Sequence, residues 1–372
     1  MAPSILFEPF AVKSKRAPNR LWAQSMEINS AGPGGGVSPR VIDRYAALAR
    51  GGWGVVSVEA ISVTPDSLAR TRGLVINREN LDGFKRLVEA SRAQGASLMI
   101  FQLSHAGRQA GAFSRRVKAW GADDGIPVLS TGDLRRIEDE FIESARLAFE
   151  AGADGVDIKA CHGYLLGELL RPSNVRDDEY GGSPENRARL VTNVIAAISR
   201  ELPALVTGSR ISLYEGIRGG CGTAGADDVV EDLDDILALA GLIARAGASF
   251  INVSAGIPAL TPHITRPVKA DSFFQFYHYR YAKLVKRALP GCAVAGSAYS
   301  AGEERSLEWA DENLRRGYAD FAGFGRQTLA DPMFPVKAQD GPGSIRRCTL
   351  CGGCSRLLKD QMEVRCSFYE KE

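Results

Sequence analysis

Along the chain, an amphipathic stretch repeatedly ends at a glycine and is followed within a few residues by an apolar run rich in valine and isoleucine. The pattern stands at Arg50-Gly51-Gly52-Trp53-Gly54-Val55, Ala151-Gly152-Ala153-Asp154-Gly155-Val156, Ala246-Gly247-Ala248-Ser249-Phe250-Ile251 and Arg316-Gly317-Tyr318-Ala319-Asp320-Phe321. Each reads as a helix C-cap feeding a buried strand. Strands are predicted near residues 21–26, 54–59, 97–103, 155–159, 206–212, 250–254, 293–296 and 319–323, with no pair joined by a tight hairpin turn. Strands alternating with helices imply βαβ units and a parallel sheet. Eight units favour an α/β fold closed as a (β/α)8 TIM barrel over an open sheet of six or seven strands. The polar and Gly/Pro-rich stretches 104–132, 171–185, 214–227 and 255–272 follow the C-terminal ends of strands, where a barrel builds its active-site mouth.

Composition narrows the function. The 372 residues suit one barrel of roughly 250 residues plus extensions. A 45% hydrophobic share and a formal charge of +2 give no single-sign field for nucleic acid or a membrane surface. The first twenty residues have no apolar h-region, and no run of about 18 apolar residues occurs, so a cytoplasmic protein without a membrane span is expected. Four of the seven cysteines, Cys348, Cys351, Cys354 and Cys366, crowd into the last 25 residues, which points to a metal centre rather than a disulfide framework.

The most informative segment is Gly155-Val-Asp-Ile-Lys-Ala-Cys-His-Gly-Tyr164, followed by Asp178-Glu-Tyr-Gly-Gly-Ser-Pro-Glu-Asn-Arg187. Period-2 alternation puts Asp157 and Lys159 on one face of the strand and Val156 and Ile158 on the other. Lys159 is then the last inward residue, with His162 and Tyr164 just beyond it on the loop, where a barrel places its catalysts. Taken singly, Lys159 is equally readable as a solvated strand end and His162 as a cap on a neighbouring carbonyl.

His-Gly-Tyr-Leu followed by Asp-Glu-Tyr-Gly-Gly-Ser-x-Glu-Asn-Arg resembles the signature segment of the old yellow enzymes. Pro18-Asn19-Arg20 with Ser25-Met26, Gln102-Leu-Ser-His-Ala-Gly-Arg108, Arg210-Ile-Ser212 and Gly325-Arg326-Gln-Thr-Leu-Ala-Asp-Pro332 are similar to further segments of that family, in order, over roughly residues 5–338. The resemblance implies an FMN-binding barrel over 1–338 followed by a short cysteine-rich extension over 339–372. It implies flavin contacts from Ser25 and Met26, with Gln102 on the pyrimidine edge and Arg210 near N1 and O2. It implies that Gly296, Ser297, Gly325 and Arg326 hold the phosphate. Tyr164 aligns with the family's proton donor, and His162 with one of two residues that hold the substrate carbonyl. Lys159 replaces the other, usually a histidine, and is expected to bind an enolate oxygen or a carboxylate. Glu27 stands where many members have a small threonine or cysteine. NAD(P)H is the implied external donor.

The tail spacing Cys348-x2-Cys351-x2-Cys354-x11-Cys366 suits a [4Fe-4S] cluster, with zinc as the alternative. It is similar to the branch of the family containing trimethylamine dehydrogenase and 2,4-dienoyl-CoA reductase. Those relatives continue into further domains, whereas this sequence runs six residues past Cys366, so a separate electron-transfer protein or reductase subunit is the expected partner, alongside homo-oligomer formation. The favoured activity is reduction of an activated C=C bond in an enone, enoate or enoyl thioester. The alternatives are an oxidative amine or hydroxyl dehydrogenase or demethylase, and a non-catalytic electron-transfer subunit. The loop Ala106 to Gly132, with Trp120 and Arg115-Arg116-Val-Lys118, reads either as a shaper of substrate access or as a solvated excursion.

Overall fold

The computed structural model of the chain describes residues 4–121, 124–267 and 273–370. Positions 122–123 of the loop after the third predicted strand, 268–272 of the loop after the sixth, and 371–372 of the extension lie outside the described residues. The chain opens with an antiparallel pair, β1 (Phe10–Val12) and β2 (Lys15–Ala17). The barrel strands follow as β3 (Leu21–Ala23) and β4 (Val55–Ser62), with a two-residue strand β5 (Leu74–Val75) beside the end of β4. They continue as β6 (Leu98–Ser104), β7 (Gly155–Ala160), β8 (Val206–Ser212), β9 (Phe250–Ser254), β10 (Ala293–Gly296) and β11 (Phe321–Phe324). Every barrel pairing is parallel, and β11 pairs back onto β3, which closes the ring of eight predicted from the pattern.

The β1–β2 hairpin is a correction to the expectation of no tightly turned strand pair. Its two-residue turn is Lys13-Ser14, with Lys13 at φ 53°. Without an Asn-Gly or Asp-Gly signal, nothing in the local sequence announces it.

The outer ring holds α1 (Pro39–Arg50), α2 (Leu81–Arg92), α3 (Thr131–Glu150), the short α4 (Leu165–Leu169), α5 (Pro184–Glu201), α6 (Asp234–Arg245), the short α7 (Pro262–Thr265), α8 (Phe273–Ala288) and α9 (Ser306–Arg315). Then come α10 (Gln327–Ala330), α11 (Phe334–Asp340) and, in the extension, α12 (Gly353–Lys359). The starts of three of these helices are written locally. Ser38 accepts the Val41 N–H ahead of Pro39, Ser183 accepts the Asn186 N–H ahead of Pro184, and Ser130 and Asp133 form a capping box on α3. The ends of α1, α3, α6 and α9 follow the glycine pattern, with Gly52, Gly152, Gly247 and Gly317 all at positive φ. Among the described residues no helix is long and apolar enough to cross a membrane.

Two faces of each strand divide the core. Outward residues such as Val56, Phe101, Val156, Ile158, Ile211 and Ile251 pack under the helices. Inward residues Trp22, Val55, Ile100, Val206, Phe250, Ala295 and Phe321 meet Val12 and Ala17 of the hairpin in a second apolar cluster, which plugs the N-terminal end of the barrel. Trp22 sits edge-on to Phe250 and Phe321, with centroids 5.1 and 5.3 Å away. Such pairs add roughly 0.5–1.5 kcal/mol each beyond burial. Gly208 makes room for this packing, since a Cβ there would lie 2.5 Å from the Phe250 ring.

Candidate active site

One step up each strand, the inward positions turn polar. Gln24 and Asn252 exchange two amide hydrogen bonds of 2.9 Å across the barrel. Asp157 Oδ2 accepts from Gln102 Nε2 at 2.9 Å and from Asn252 Nδ2 at 3.2 Å, and the Ser25 hydroxyl donates to Gln102 Oε1 at 2.6 Å. All but the part-buried Ser25 are buried, so each amide orientation is fixed by its neighbours.

Above this layer opens a cavity of about 650 Å³ at the C-terminal mouth. Ser25, Met26, Gln102, Lys159, His162, Tyr164, Arg210, Ser297, Gly325 and Arg326 all line it, together with Cys354 of the extension. Gly296 lies one residue back, at the end of β10. Arg210 gives Nη1 to Gln24 Oε1 and Nη2 to Ser254 Oγ, the latter at 3.3 Å, while its buried Nε–H has no partner.

The strand-to-helix corner after β7 aims the catalytic candidates. His162 and Gly163 are both left-handed, with φ of 61° and 74°, and turn the chain back so that Tyr164 starts α4. The Ser212 hydroxyl accepts the His162 N–H at 3.1 Å, and the imidazole Nε2 lies 2.7 Å from Ser254 Oγ. Burial, then Arg210 and Lys159, depress the His162 imidazole well below its usual value, so it is neutral. Lys159 is buried rather than solvated, and its Nζ stands 3.4 Å from the centre of the Tyr164 ring. The Tyr164 hydroxyl donates to Glu27 Oε1 at 3.4 Å, and Glu27 Oε2 is held by Arg70 at 3.1 Å. Burial opposes the Glu27 charge, but Arg70 and Lys159 outweigh it and keep the carboxyl below its usual range. Burial and the Glu27 carboxylate raise the Tyr164 phenol above its ordinary value, so it carries its proton at neutral pH.

At the other end of the cavity, Arg326 donates Nη2 to the Pro267 carbonyl at 2.7 Å. Ser297 Oγ lies 2.8 Å from Nδ1 of the buried His278, whose Nε2 lies 2.8 Å from the Ile264 carbonyl. A carbonyl only accepts, so the His278 proton is on Nε2 and the Ser297 hydroxyl donates to Nδ1.

The extension closes one side of the mouth. Asn29 Nδ2 donates to the Gln361 carbonyl at 2.7 Å, Val364 N–H to Ile28 at 2.8 Å, and Gln327 clamps both Arg346 and Cys348 by their backbones. All four tail cysteines are free thiols; Cys348 and Cys354 are raised by burial and interact with each other and with Cys366. Among the described residues, no three or more His, Cys, Asp or Glu side chains gather closely enough to hold a metal ion, so the expected four-thiolate shell is not closed in this side-chain arrangement.

The residues Arg70, Asn252, Arg266 and His278 were outside the sequence expectation. Asn252 had a readable signal, a polar side chain at an inward position of an apolar strand, whereas the other three sit on a loop or mid-helix with no pattern to mark them. The loop after β6 is neither free nor a major wall. Lys118 is buried on Asp124 at 2.6 Å, Arg108 and Trp120 bind Glu168, and of the described loop residues only Gln109 reaches the cavity.

A closed (β/α)8 barrel with a polar, cation-rich cavity at the C-terminal ends of its strands is a scaffold suited to an enzyme that binds an anionic cofactor or substrate. The model of the NADH:flavin oxidoreductase / NADH oxidase family matches residues 5–343, and the chain belongs to that family of flavin-dependent enzymes. It is 32% identical over 340 residues to the NADPH dehydrogenase of Bacillus subtilis, covering 88% of this chain and 92% of the relative. It is 30% identical over 369 residues to the NADH oxidase of Thermoanaerobacter brockii, covering 94% of this chain but only 53% of that protein. In fold it is similar to an old yellow enzyme homologue from Zymomonas mobilis, with a TM-score of 0.73, 23% identity and coverage of 91% and 93%. It is also similar to 2-naphthoyl-CoA reductase, with a TM-score of 0.85, 21% identity and coverage of 97% and 56%. The chain thus spans about half the length of some relatives and nearly all of others. The site fits FMN, the flavin of this family. The unpartnered Arg210 Nε–H is a charged donor suited to an electron-rich pyrimidine edge, and Arg326 supplies positive charge at the far end.

Proposed function

We propose that the chain reduces an activated carbon–carbon double bond, NAD(P)H and one proton being consumed and the alkene leaving as CH–CH. The observation that carries this reading is the protonated Tyr164 phenol sharing one cavity with Gln102, Arg210 and His162. FMN, when bound, would supply the hydride chemistry that links NAD(P)H to the alkene β-carbon. Gln102, held by Ser25 and Asp157, orients the pyrimidine edge, and Arg210 balances the negative charge of the reduced ring. Ser297, Gly325 and Arg326, with the adjoining Gly296, hold the phosphate. Neutral His162 donates to the substrate carbonyl, and Lys159 favours the negative charge developing on that oxygen. Tyr164 Oη delivers its proton to the α-carbon, and Glu27 holds the phenol in place while Arg70 keeps Glu27 ionised.

Cys348, Cys351, Cys354 and Cys366 are proposed as ligands of a [4Fe-4S] cluster serving a separate electron-transfer protein. A donor set of four thiols with no nitrogen or oxygen suits iron and sulfide, and no step above passes through it. The test of the main reading is an anaerobic one. NADPH should bleach the visible flavin band of the purified protein, and 2-cyclohexenone should restore it with formation of cyclohexanone. Reoxidation by dioxygen but by no enone would sink the proposal; iron and sulfide assay of the same sample decides the tail.

A further inference from the structure

The charge of the cavity does not balance. Among the described residues lining it, seven are lysine or arginine and one, Glu27, is a carboxylate. Part of the excess is accounted for. Arg210 and Arg326 face the pyrimidine and phosphate of FMN in the reading above, and Arg356 and Lys359 are exposed, where water and salt screen them. Arg70 is paired with Glu27, and Lys159 stands over Tyr164 within reach of the same carboxylate.

Arg266, on the loop after β9, is left over. It lines the same cavity as Arg326 and Tyr164, and the charged groups it feels are, strongest first, Arg326, Cys354, Arg70 and Glu27. Its guanidinium makes no hydrogen bond or ion pair among the described residues. Burial, then the Arg326 charge, lower its basicity, and Cys354 and Glu27 only partly offset them. A planar guanidinium that lines the Tyr164 cavity without a hydrogen-bond partner among the described residues matches a carboxylate in two hydrogen bonds.

We propose that Arg266 is an anion subsite of the alkene cavity and that the physiological substrate is an activated alkene carrying a carboxylate. The carboxylate lies on Arg266 while the double bond lies beside Tyr164. This rests on the reductase reading, and the test separates the two. The FMN-loaded wild-type, Arg266→Met and Arg266→Lys proteins are compared with NADPH on (E)-4-oxopent-2-enoate and its methyl ester. Binding of the saturated 4-oxopentanoate and its methyl ester is followed by calorimetry, and FMN per chain is measured for each protein.

The wild type should prefer the acid, although the ester is the more electrophilic alkene. Arg266→Met should shrink that preference roughly tenfold to a hundredfold, the worth of one charge-assisted contact. Arg266→Lys should retain part of it, and FMN should stay bound in all three. An acid-to-ester ratio equal in wild type and Arg266→Met overturns the subsite. Loss of FMN from Arg266→Met overturns it too, by making Arg266 a phosphate ligand. If neither alkene is reduced, yet 4-oxopentanoate binds the wild type and not Arg266→Met, the reductase reading fails and the subsite stands.

Discussion

The floor and the mouth of this barrel are built on the same eight strands, one or two inward positions apart, at a rise of roughly 7 Å per step. At the floor, Trp22, Phe250 and Phe321 interlock with a hairpin that seals them from water. At the mouth, Lys159, Arg210 and Arg266 line a cavity that, among the described residues, holds seven lysine or arginine side chains and one carboxylate. Between them lies the amide and acid layer of Gln24, Gln102, Asp157 and Asn252, in which nearly every hydrogen bond is made within the barrel. The floor therefore stabilises the fold without chemistry, and the mouth carries chemistry at some cost in desolvated charge. The middle layer lets the second rest rigidly on the first.

The sharpest way to break this division is at the mouth. Tyr164→Phe keeps the ring beneath Lys159 and removes only the proton and its bond to Glu27. Stopped-flow traces should show flavin reduction by NADPH little changed and reoxidation by enone slowed roughly a hundredfold to ten-thousandfold, the usual worth of a positioned acid. Thermal stability should move little. Equal slowing of both half-reactions would mean that Tyr164 shapes the flavin site rather than delivering a proton.

At the floor the outcome should invert. Trp22→Ala empties the centre of the aromatic cluster and leaves the Ser57 hydroxyl without its indole donor, now at 2.7 Å. A loss of about 3–5 kcal/mol is expected from urea unfolding, as for large buried aromatic truncations. The ratio of the two half-reaction rates in the folded fraction should stay that of the wild type. A small loss would mean that the hairpin collapses into the space; a changed ratio would mean that floor and mouth are coupled.

How much of each region could be read beforehand follows from what holds it. The strands were legible because an apolar run marks each of them and a glycine-capped helix precedes four. The hairpin was not, because its exposed two-residue turn, Lys13-Ser14, carries none of the Asn, Asp or Gly residues that mark such turns. At the mouth, Lys159 was legible from strand phase, since period-2 alternation decides which side chains face inward, and Gln102 and Arg210 from the family motifs alone. Arg70, Arg266 and His278 were not, because loop conformation and helix docking bring them to the cavity from distant segments. Glu27 was visible only as a departure from the family, and its pairing with Arg70 and Tyr164 emerged from the fold. The tail cysteines were plain from their spacing, whereas their position against the mouth depends on Asn29 and Gln327, which no spacing rule marks.

The smallest effect concerns a buried histidine outside the cavity lining. His105, the first residue after β6, accepts the Gly107 N–H on Nδ1 at 3.2 Å, and burial pulls its pKa down to about 4. Its folded value lies below the unfolded value of about 6.5, so the unfolded chain binds the extra proton first as pH falls. The neutral histidine's contribution is complete above pH 6.5 or so and is lost progressively toward pH 4. Between pH 6.5 and 5 the loss from this one group is about 2 kcal/mol. His105→Gln keeps an acceptor but cannot titrate, so its unfolding free energy should fall less than the wild type's over that interval, by about the same amount. Parallel pH profiles for the two proteins would show that acid weakens the barrel elsewhere, for example at the carboxylates of its surface ion pairs, and that the fold is indifferent to protonation at position 105.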